Sequence, residues 1–269
     1  MVVRSRERVL LAVAGHDPSY VFEQGRGCGA GVDADREAAG HFGVACVTVV
    51  TAWTEQAEGR VEALGAVSPA IWLSEAVRYV RELGDTLGAL KFGLLPGEAA
   101  VRAASQLVRE ARRLSPRLPV VVDPVLAASG GEPLLDAAGR TALIEDLMCQ
   151  GLVLTPNRPE AYDLTGLPRS TRPEDLARAL FRRMAGRDES ARGLVLKGGH
   201  GGEDPVCDLC LAADGQLVES THARRLGASL HGSGCRHASA VAANLALGQP
   251  LAEAAAQAGA WLGALLARA

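Results

Sequence analysis

The segment Val9-Leu10-Leu11-Ala12-Val13-Ala14 runs straight into Gly15-His16-Asp17-Pro18-Ser19. Six apolar residues without alternation describe a strand buried on both faces, which belongs in a parallel sheet covered by helices. The polar residues after it then lie at the strand's carboxyl end, where open parallel sheets bind ligands. Arg4, Arg6 and Arg8 before the segment, with Ala12 and Ala14 inside it, imitate a secretion signal. The apolar stretch falls short of the roughly 7–15 residues such a signal needs, so a first strand explains it better.

Outward from this strand, similar β-branched runs predict further strands at Val44 to Thr51, Ala89 to Gly93, Val120 to Asp123, Leu152 to Thr155 and Leu194 to Lys197. Helical patterns lie between them, near Asp33 to His41, Ala70 to Leu83, Glu98 to Leu114, Asp136 to Cys149 and Pro173 to Met184. After Lys197 the pattern changes. Cys207 to Ala212 and Gln216 to Ser220 flank Asp214-Gly215, a dipeptide suited to a type I′ hairpin, which predicts a small antiparallel edge. A helix from Cys235 to Leu247 and another after Pro250 close the chain. The expected fold class is a doubly wound α/β domain spanning residues 1–269, its sheet mostly parallel and flanked by helices.

Composition narrows the function. The chain has 269 residues, 48% of them hydrophobic, with a net charge of −3, so no overall positive field holds a polyanion and nucleic acid is excluded as a main partner. Aromatics make up only 4% while glycines number 31, so the core rests on Ala, Val and Leu. Six cysteines are too few for a disulfide framework and predict a cytoplasmic location. The longest apolar run, near Val44 to Trp53, is well short of the ~20 residues a membrane helix needs.

The residues that follow each strand carry the chemistry. Gly232, Ser233 and Gly234 enter a helix, so backbone N–H groups and the positive end of the helix dipole offer a nest for phosphate. Cys235 stands where that dipole lowers a thiol pKa, fitting a base for a substrate hydroxyl or a nucleophile. Glu160 and Asp123 offer oxygen ligands to a magnesium ion that keeps several waters, although Asp123 equally suits a pairing with Lys197, and Asn157 with Glu160 equally reads as a helix capping box. No P-loop or Rossmann glycine fingerprint occurs. Cys207 and Cys210 have a zinc-like spacing, but on a strand they point to opposite faces. His200, His222 and His237 show no ligand spacing and read as surface or packing residues. Lys91 and Lys197 are the only lysines.

In order along the chain, Gly15-His16-Asp17-Pro18-Ser19, Ala30 to Asp35, Thr51-Ala52 with Gln56, Lys91-Phe92-Gly93, Asp123-Pro124-Val125, Thr155-Pro156-Asn157 with Glu160, Lys197-Gly198-Gly199-His200 and His231 to Cys235 resemble the hydroxymethylpyrimidine/phosphomethylpyrimidine kinases of thiamin synthesis, within the ribokinase-like superfamily. The resemblance implies Mg²⁺- and ATP-dependent phosphorylation of an aminopyrimidine alcohol and of its monophosphate, by an enzyme of a family that tends to dimerise. It assigns Cys235 the place of the base aspartate of related sugar kinases, and Gly232, Ser233 and Gly234 the stabilisation of the transferred phosphoryl. Lys197, Gly199 and Asn157 fall on the ATP side; Asp17, Asp35, Gln56, Leu94 and Val125 fall on the substrate side; Glu160 and Asp123 fall at the metal. A pyridoxal or pyridoxine kinase is the alternative enzyme, and a pyrimidine-binding sensor without turnover the alternative class.

The chain departs from the family pattern at several places. Residues 20–27 form an insertion at the expected substrate mouth. Asp33 stands where glutamine is frequent, Glu37 where lysine is, and Ser129-Gly130 replace a common Lys-Ser pair. Arg236 is unusual after the cysteine and is expected to bring positive charge near the phosphate.

Overall fold

A computed structural model describes residues 7–17, 29–57, 60–128, 131–184, 193–201, 203–223 and 230–268, with side chains at 55–57 and 60–62 outside that description. One sheet of ten strands runs through it: β1 (Val9–Asp17), β2 (Ala30–Gly31), β3 (Ala45–Ala57), β4 (Arg60–Ala66), β5 (Leu87–Phe92), β6 (Val120–Val122), β7 (Val153–Leu154), β8 (Gly193–Leu196), β9 (Val206–Leu211) and β10 (Leu217–His222). Their order is β10-β9-β8-β7-β6-β5-β1-β3-β4, with β2 paired to the end of β1. Strands β3, β1, β5, β6, β7 and β8 are mutually parallel, as their unalternated apolar sequences require.

The helices are α1 (Val32–His41), α2 (Pro69–Leu83), α3 (Gly97–Leu114), α4 (Ala137–Ala142), α5 (Arg158–Thr165), α6 (Pro173–Arg183), α7 (Ser233–Ala246) and α8 (Leu251–Leu266). They bury two cores, one on each face of the sheet. Trp72, Leu107, Leu147 and Leu180 belong to one, and alanines of α1, α7 and α8 dominate the other. Small side chains let α7 lie close against the sheet: a Cβ placed at Gly88 of β5 would come within 2.7 Å of the Ala246 Cβ. Such close approach of small residues is how a core with so few aromatics can pack tightly. Among the described residues, no helix is long and apolar enough to cross a membrane.

Three expectations need correction. The second strand does not stop at Thr51; β3 continues to Ala57 and folds back as β4, forming a second antiparallel edge, so Gln56 lies within a strand opposite Val61. The segment Asp136 to Cys149 is not one helix. Asp136 caps α4 by accepting the Gly139 N–H at 2.7 Å, and the chain then widens into a π-turn at Leu143–Leu147 and tightens into a 3₁₀ turn at Met148–Gln150. The widening coincides with side-chain claims on the Asp146 carbonyl, which accepts from Ser105 at 3.0 Å and Gln150 at 2.8 Å. The β9–β10 hairpin pairs Leu211 with Leu217, and its loop closes through Gly215 N–H to the Ala212 carbonyl, with Gly215 at φ 75°. Its loop is thus longer than the two-residue turn expected from Asp214-Gly215. Cys207 and Cys210 do point to opposite faces, one packed on each core.

Candidate active site at the carboxyl edge of the sheet

The connection after β1 descends through α1 to β3, and that after β4 crosses by α2 to β5, so the winding reverses between β1 and β5. This is the switch point at which open α/β sheets leave a crevice. The first turn of α7 covers it. Gly232 forms the N-cap at φ 74°, where a Cβ would lie 3.0 Å from Arg236 Nη1 and 3.1 Å from Ala30 Cα. The Ser233 N–H is donated to the Leu230 carbonyl, while the amides of Gly234 and Cys235 belong to a first turn that finds no acceptor within its own helix.

Lys197, just past β8, donates to Asp123 Oδ1 at 2.7 Å. A Cβ built on Gly234 would be 3.4 Å from Lys197 Nζ and 3.6 Å from Asp123 Oδ2, so the ion pair abuts the helix start. Asp123 thus holds Lys197 through Oδ1. Burial lowers the Lys197 pKa, but Asp123, Glu160 and the Cys235 thiol outweigh it and the net shift is upward. Glu160 closes the capping box of α5: Asn157 Oδ1 accepts the Glu160 N–H at 2.8 Å and Glu160 Oε2 accepts the Asn157 N–H at 2.7 Å. Burial, opposed by Lys197 and the Asn157 amide and aided by Asp123, lifts the Glu160 carboxyl to about 7.

That shift has a pH consequence. A carboxyl raised in the folded state favours folding while it is protonated, and the benefit drains away as pH climbs from its unfolded value toward about 7. Glutamine also serves in a capping box. Glu160→Gln is therefore expected to gain stability on the wild type between pH 5 and pH 8, by on the order of 2 kcal/mol. Thermal melts of both proteins across that range check it.

Deeper in the crevice, Lys91 of β5 donates to Asp35 Oδ1 of α1 at 2.7 Å, both residues being 0% exposed. Ser239 of α7 donates to the same oxygen at 2.7 Å, and Asp35 Oδ2 has no hydrogen-bond partner among the described residues. Burial lowers the Lys91 pKa, yet Asp35, Cys235 and Asp123 together turn the net shift upward. Cys235 feels Lys91, Asp123, Asp35 and the Gly31 N–H. The expectation of a lowered thiol pKa is corrected here: burial is the largest influence and raises it, Lys91 and the Gly31 amide pull it back, and the two carboxylates leave the net shift upward. The helix dipole alone does not decide the matter.

At the mouth, Asp17 is buried and accepts from His231 Nε2 at 2.9 Å, a tie between β1 and the glycine turn. Leu94 lies against Gly15, where a Cβ would meet Leu94 Cδ2 at 2.9 Å, and its carbonyl accepts from Thr51 at 2.5 Å. Val125 is half-buried just past β6, and Gly199 is exposed just past β8. The Gln56 side chain, Pro18-Ser19, the 20–27 insertion and Ser129-Gly130 lie outside the described residues.

The departures from the family pattern pair with one another. Arg236 Nε lies 2.7 Å from Glu37 Oε2, and its Nη1 donates to the His231 carbonyl at 2.6 Å. The expected positive charge beside the phosphate is thus turned beneath the glycine turn, 2% exposed, where it neutralises Glu37. Asp33 similarly accepts from Arg36 at 2.9 Å and approaches His16 at 2.9 Å. Sequence reasoning missed the Glu37–Arg236 and His16–Asp33 links because their partners come from different elements, although the unusual opposite charges of Glu37 and Arg236 were a usable signal.

Residues 26–269 match the family model described as phosphomethylpyrimidine kinase. The chain is 33% identical over 261 residues to the hydroxymethylpyrimidine/phosphomethylpyrimidine kinase of Rhizobium meliloti, covering 97% of this chain and 91% of that one. It is 35% identical over 252 residues to the thiamine biosynthesis bifunctional protein ThiED of Geobacter sulfurreducens, covering 93% of this chain but only 47% of the relative, so it spans about half that protein's length. Among solved structures, phosphomethylpyrimidine kinase from Clostridium difficile 630 superposes with a TM-score of 0.74 at 24% identity, covering 97% of this chain and 100% of that one. A pyridoxal kinase from Staphylococcus aureus in complex with ADP gives 0.78 at 25% identity, covering 96% and 87%.

Proposed function

Because the chain belongs to the phosphomethylpyrimidine kinase family, we propose that it transfers the terminal phosphoryl group of ATP to the hydroxymethyl group of 4-amino-5-hydroxymethyl-2-methylpyrimidine and to the resulting monophosphate, in thiamin synthesis. The observation that carries this reading is the convergence of the Lys197–Asp123 pair and Cys235 on the first turn of α7.

The hydroxyl oxygen forms its bond to phosphorus as the bond from phosphorus to the ADP oxygen breaks, and the hydroxyl proton passes to the Cys235 thiolate. Lys91 and the Gly31 amide favour that thiolate against burial, Asp123 and Asp35. The Gly234 and Cys235 amides meet the charge on the transferred oxygens, the task for which a helix start is suited. Lys197 neutralises ATP phosphates, with Gly199 and Asn157 on the same side. Asp17, Asp35, Gln56, Leu94 and Val125 bound the pyrimidine, where the Gln56 amide matches an amino group beside a ring nitrogen.

Glu160 and Asp123 suit a magnesium ion held mainly through waters and phosphates, since that ion uses one or two carboxylates rather than a full protein cage. Such an ion would supply charge neutralisation at the phosphates. The reading extends to a cytoplasmic homodimer with one catalytic unit over residues 1–269, whose size chromatography measures.

The test is product formation from ATP with the pyrimidine alcohol, its monophosphate and pyridoxal in parallel. The highest kcat/KM is expected for the pyrimidines. Preference for pyridoxal supports the alternative enzyme, and calorimetric binding without any phosphorylated product supports a sensor.

A further inference from the structure

Behind the two phosphate-facing turns lies a carboxylate that no motif singles out. Asp208 interrupts the apolar strand β9 and is 2% exposed. Its Oδ1 accepts the Gly198 N–H at 2.7 Å. Its Oδ2 lies 3.3 Å from Nε2 of His237, on α7, and 3.9 Å from Nδ1 of His222, on β10. Helix α8 closes the cluster with glycines: a Cβ at Gly259 would lie 3.0 Å from His222 Nδ1 and 3.3 Å from Asp208 Oδ2. The Gly198 backbone is clamped on β9 as well, since a Cβ there would stand 2.0 Å from the Cys207 carbonyl oxygen.

Burial raises the Asp208 pKa, but His237, the Gly198 amide and His222 outweigh it and hold the group below the usual carboxylate range. A buried charge of this kind is a poor device for stability alone, since apolar packing often does as well or better. Its placement is what distinguishes it. Gly198 adjoins Lys197 and Gly199, and His237 stands two residues beyond Cys235. One carboxylate therefore reaches both the nucleotide side and the base side of the crevice.

We propose that Asp208 is a positioning residue for phosphoryl transfer, one oxygen fixing the turn at Gly198–Gly201 and the other holding α7 through His237, so that Lys197 and Cys235 keep a constant separation. The proposal rests on the roles given to those two segments under Proposed function. It separates the two ends of the carboxylate into two kinetic readouts, which a merely structural role would not do.

Asp208→Ala removes both contacts and is expected to raise the KM for ATP about tenfold while the pyrimidine KM stays within about twofold. Asp208→Asn keeps an acceptor for Gly198, so it restores the ATP KM to within about twofold but leaves kcat reduced several-fold. His237→Leu lowers kcat to a similar extent at unchanged ATP KM, and combining it with Asp208→Asn adds no further loss. An unchanged ATP KM in folded Asp208→Ala, or equal rises in both KM values, overturns the proposal. Should the alanine variant not fold, an undiminished kcat in Asp208→Asn overturns it equally. Calorimetry with a non-hydrolysable ATP analogue runs alongside: if the wild type yields no phosphorylated pyrimidine, the functional reading fails, while weakened analogue binding in Asp208→Ala still supports the nucleotide-side role and unchanged binding refutes it.

Discussion

Cys235→Ala is expected to lower kcat with the pyrimidine alcohol by roughly two to three orders of magnitude, the usual worth of a positioned general base, with little change in KM. The base takes its proton as bond making proceeds, so its loss weakens the transition state more than the ground state. Steady-state kinetics on the purified variant measure both constants. The pH profile gives a second, independent readout. Burial and the carboxylates of Asp123 and Asp35 push the thiol up, so wild-type kcat/KM should rise with pH on the alkaline side of an ordinary cysteine. Cys235→Asp, which places a carboxylate base at this position, should retain part of the activity and move the rising limb to lower pH. Full activity in the alanine variant removes Cys235 from the mechanism, and an unmoved limb in the aspartate variant removes it from the titration.

The parts of this site that a linear reading reaches are those carried by residues just after strands. Asp123, Asn157, Glu160, Lys197 and residues 232–235 could be placed on one rim because β6, β7 and β8 are continuous apolar runs, and a parallel sheet aligns their carboxyl ends. The capping box at Asn157 and Glu160 was legible for the same reason, its partners being three residues apart. Strand β4 was not, because Arg60 to Ala66 forms a hairpin beyond the core and lacks an apolar run. Apart from the pairing of Asp123 with Lys197, long-range electrostatics are hidden: Asp35 and Lys91 are 56 positions apart and Glu37 and Arg236 are 199 apart. In the sequence Asp35 reads only as a substrate contact, whereas the fold makes it half of a buried ion pair. His237 and His222 read as packing residues because their common partner, Asp208, lies on another strand. An aspartate within Val206 to Leu211 was the available signal, since a carboxylate is seldom buried without a partner.

Lys91→Met is expected to destabilise the protein by about 3–5 kcal/mol, because removing one partner of a buried pair strands the other charge. For a chain of this size that corresponds to a fall in Tm of roughly 6–20 °C, read by differential scanning calorimetry. Both side chains are 0% exposed, and Asp35 Oδ2 has no hydrogen-bond partner among the described residues. The Ser239 hydroxyl would remain the only donor to Asp35 Oδ1 among those described. Nor is the pocket free to rearrange, since a Cβ at Gly93 would sit 3.0 Å from Lys91 Nζ and 2.8 Å from the Ala14 Cβ. The double variant Lys91→Met/Asp35→Leu removes both charges and should recover most of the loss, to within about 1–2 kcal/mol of wild type. If the single variant melts with the wild type, the pair is not the buried charge the geometry describes. Activity separates the remaining roles. A double variant that is stable but inactive means the ion pair is retained for the thiol it faces and the substrate beside it; one that is both stable and active means Asp35 and Lys91 serve the fold alone.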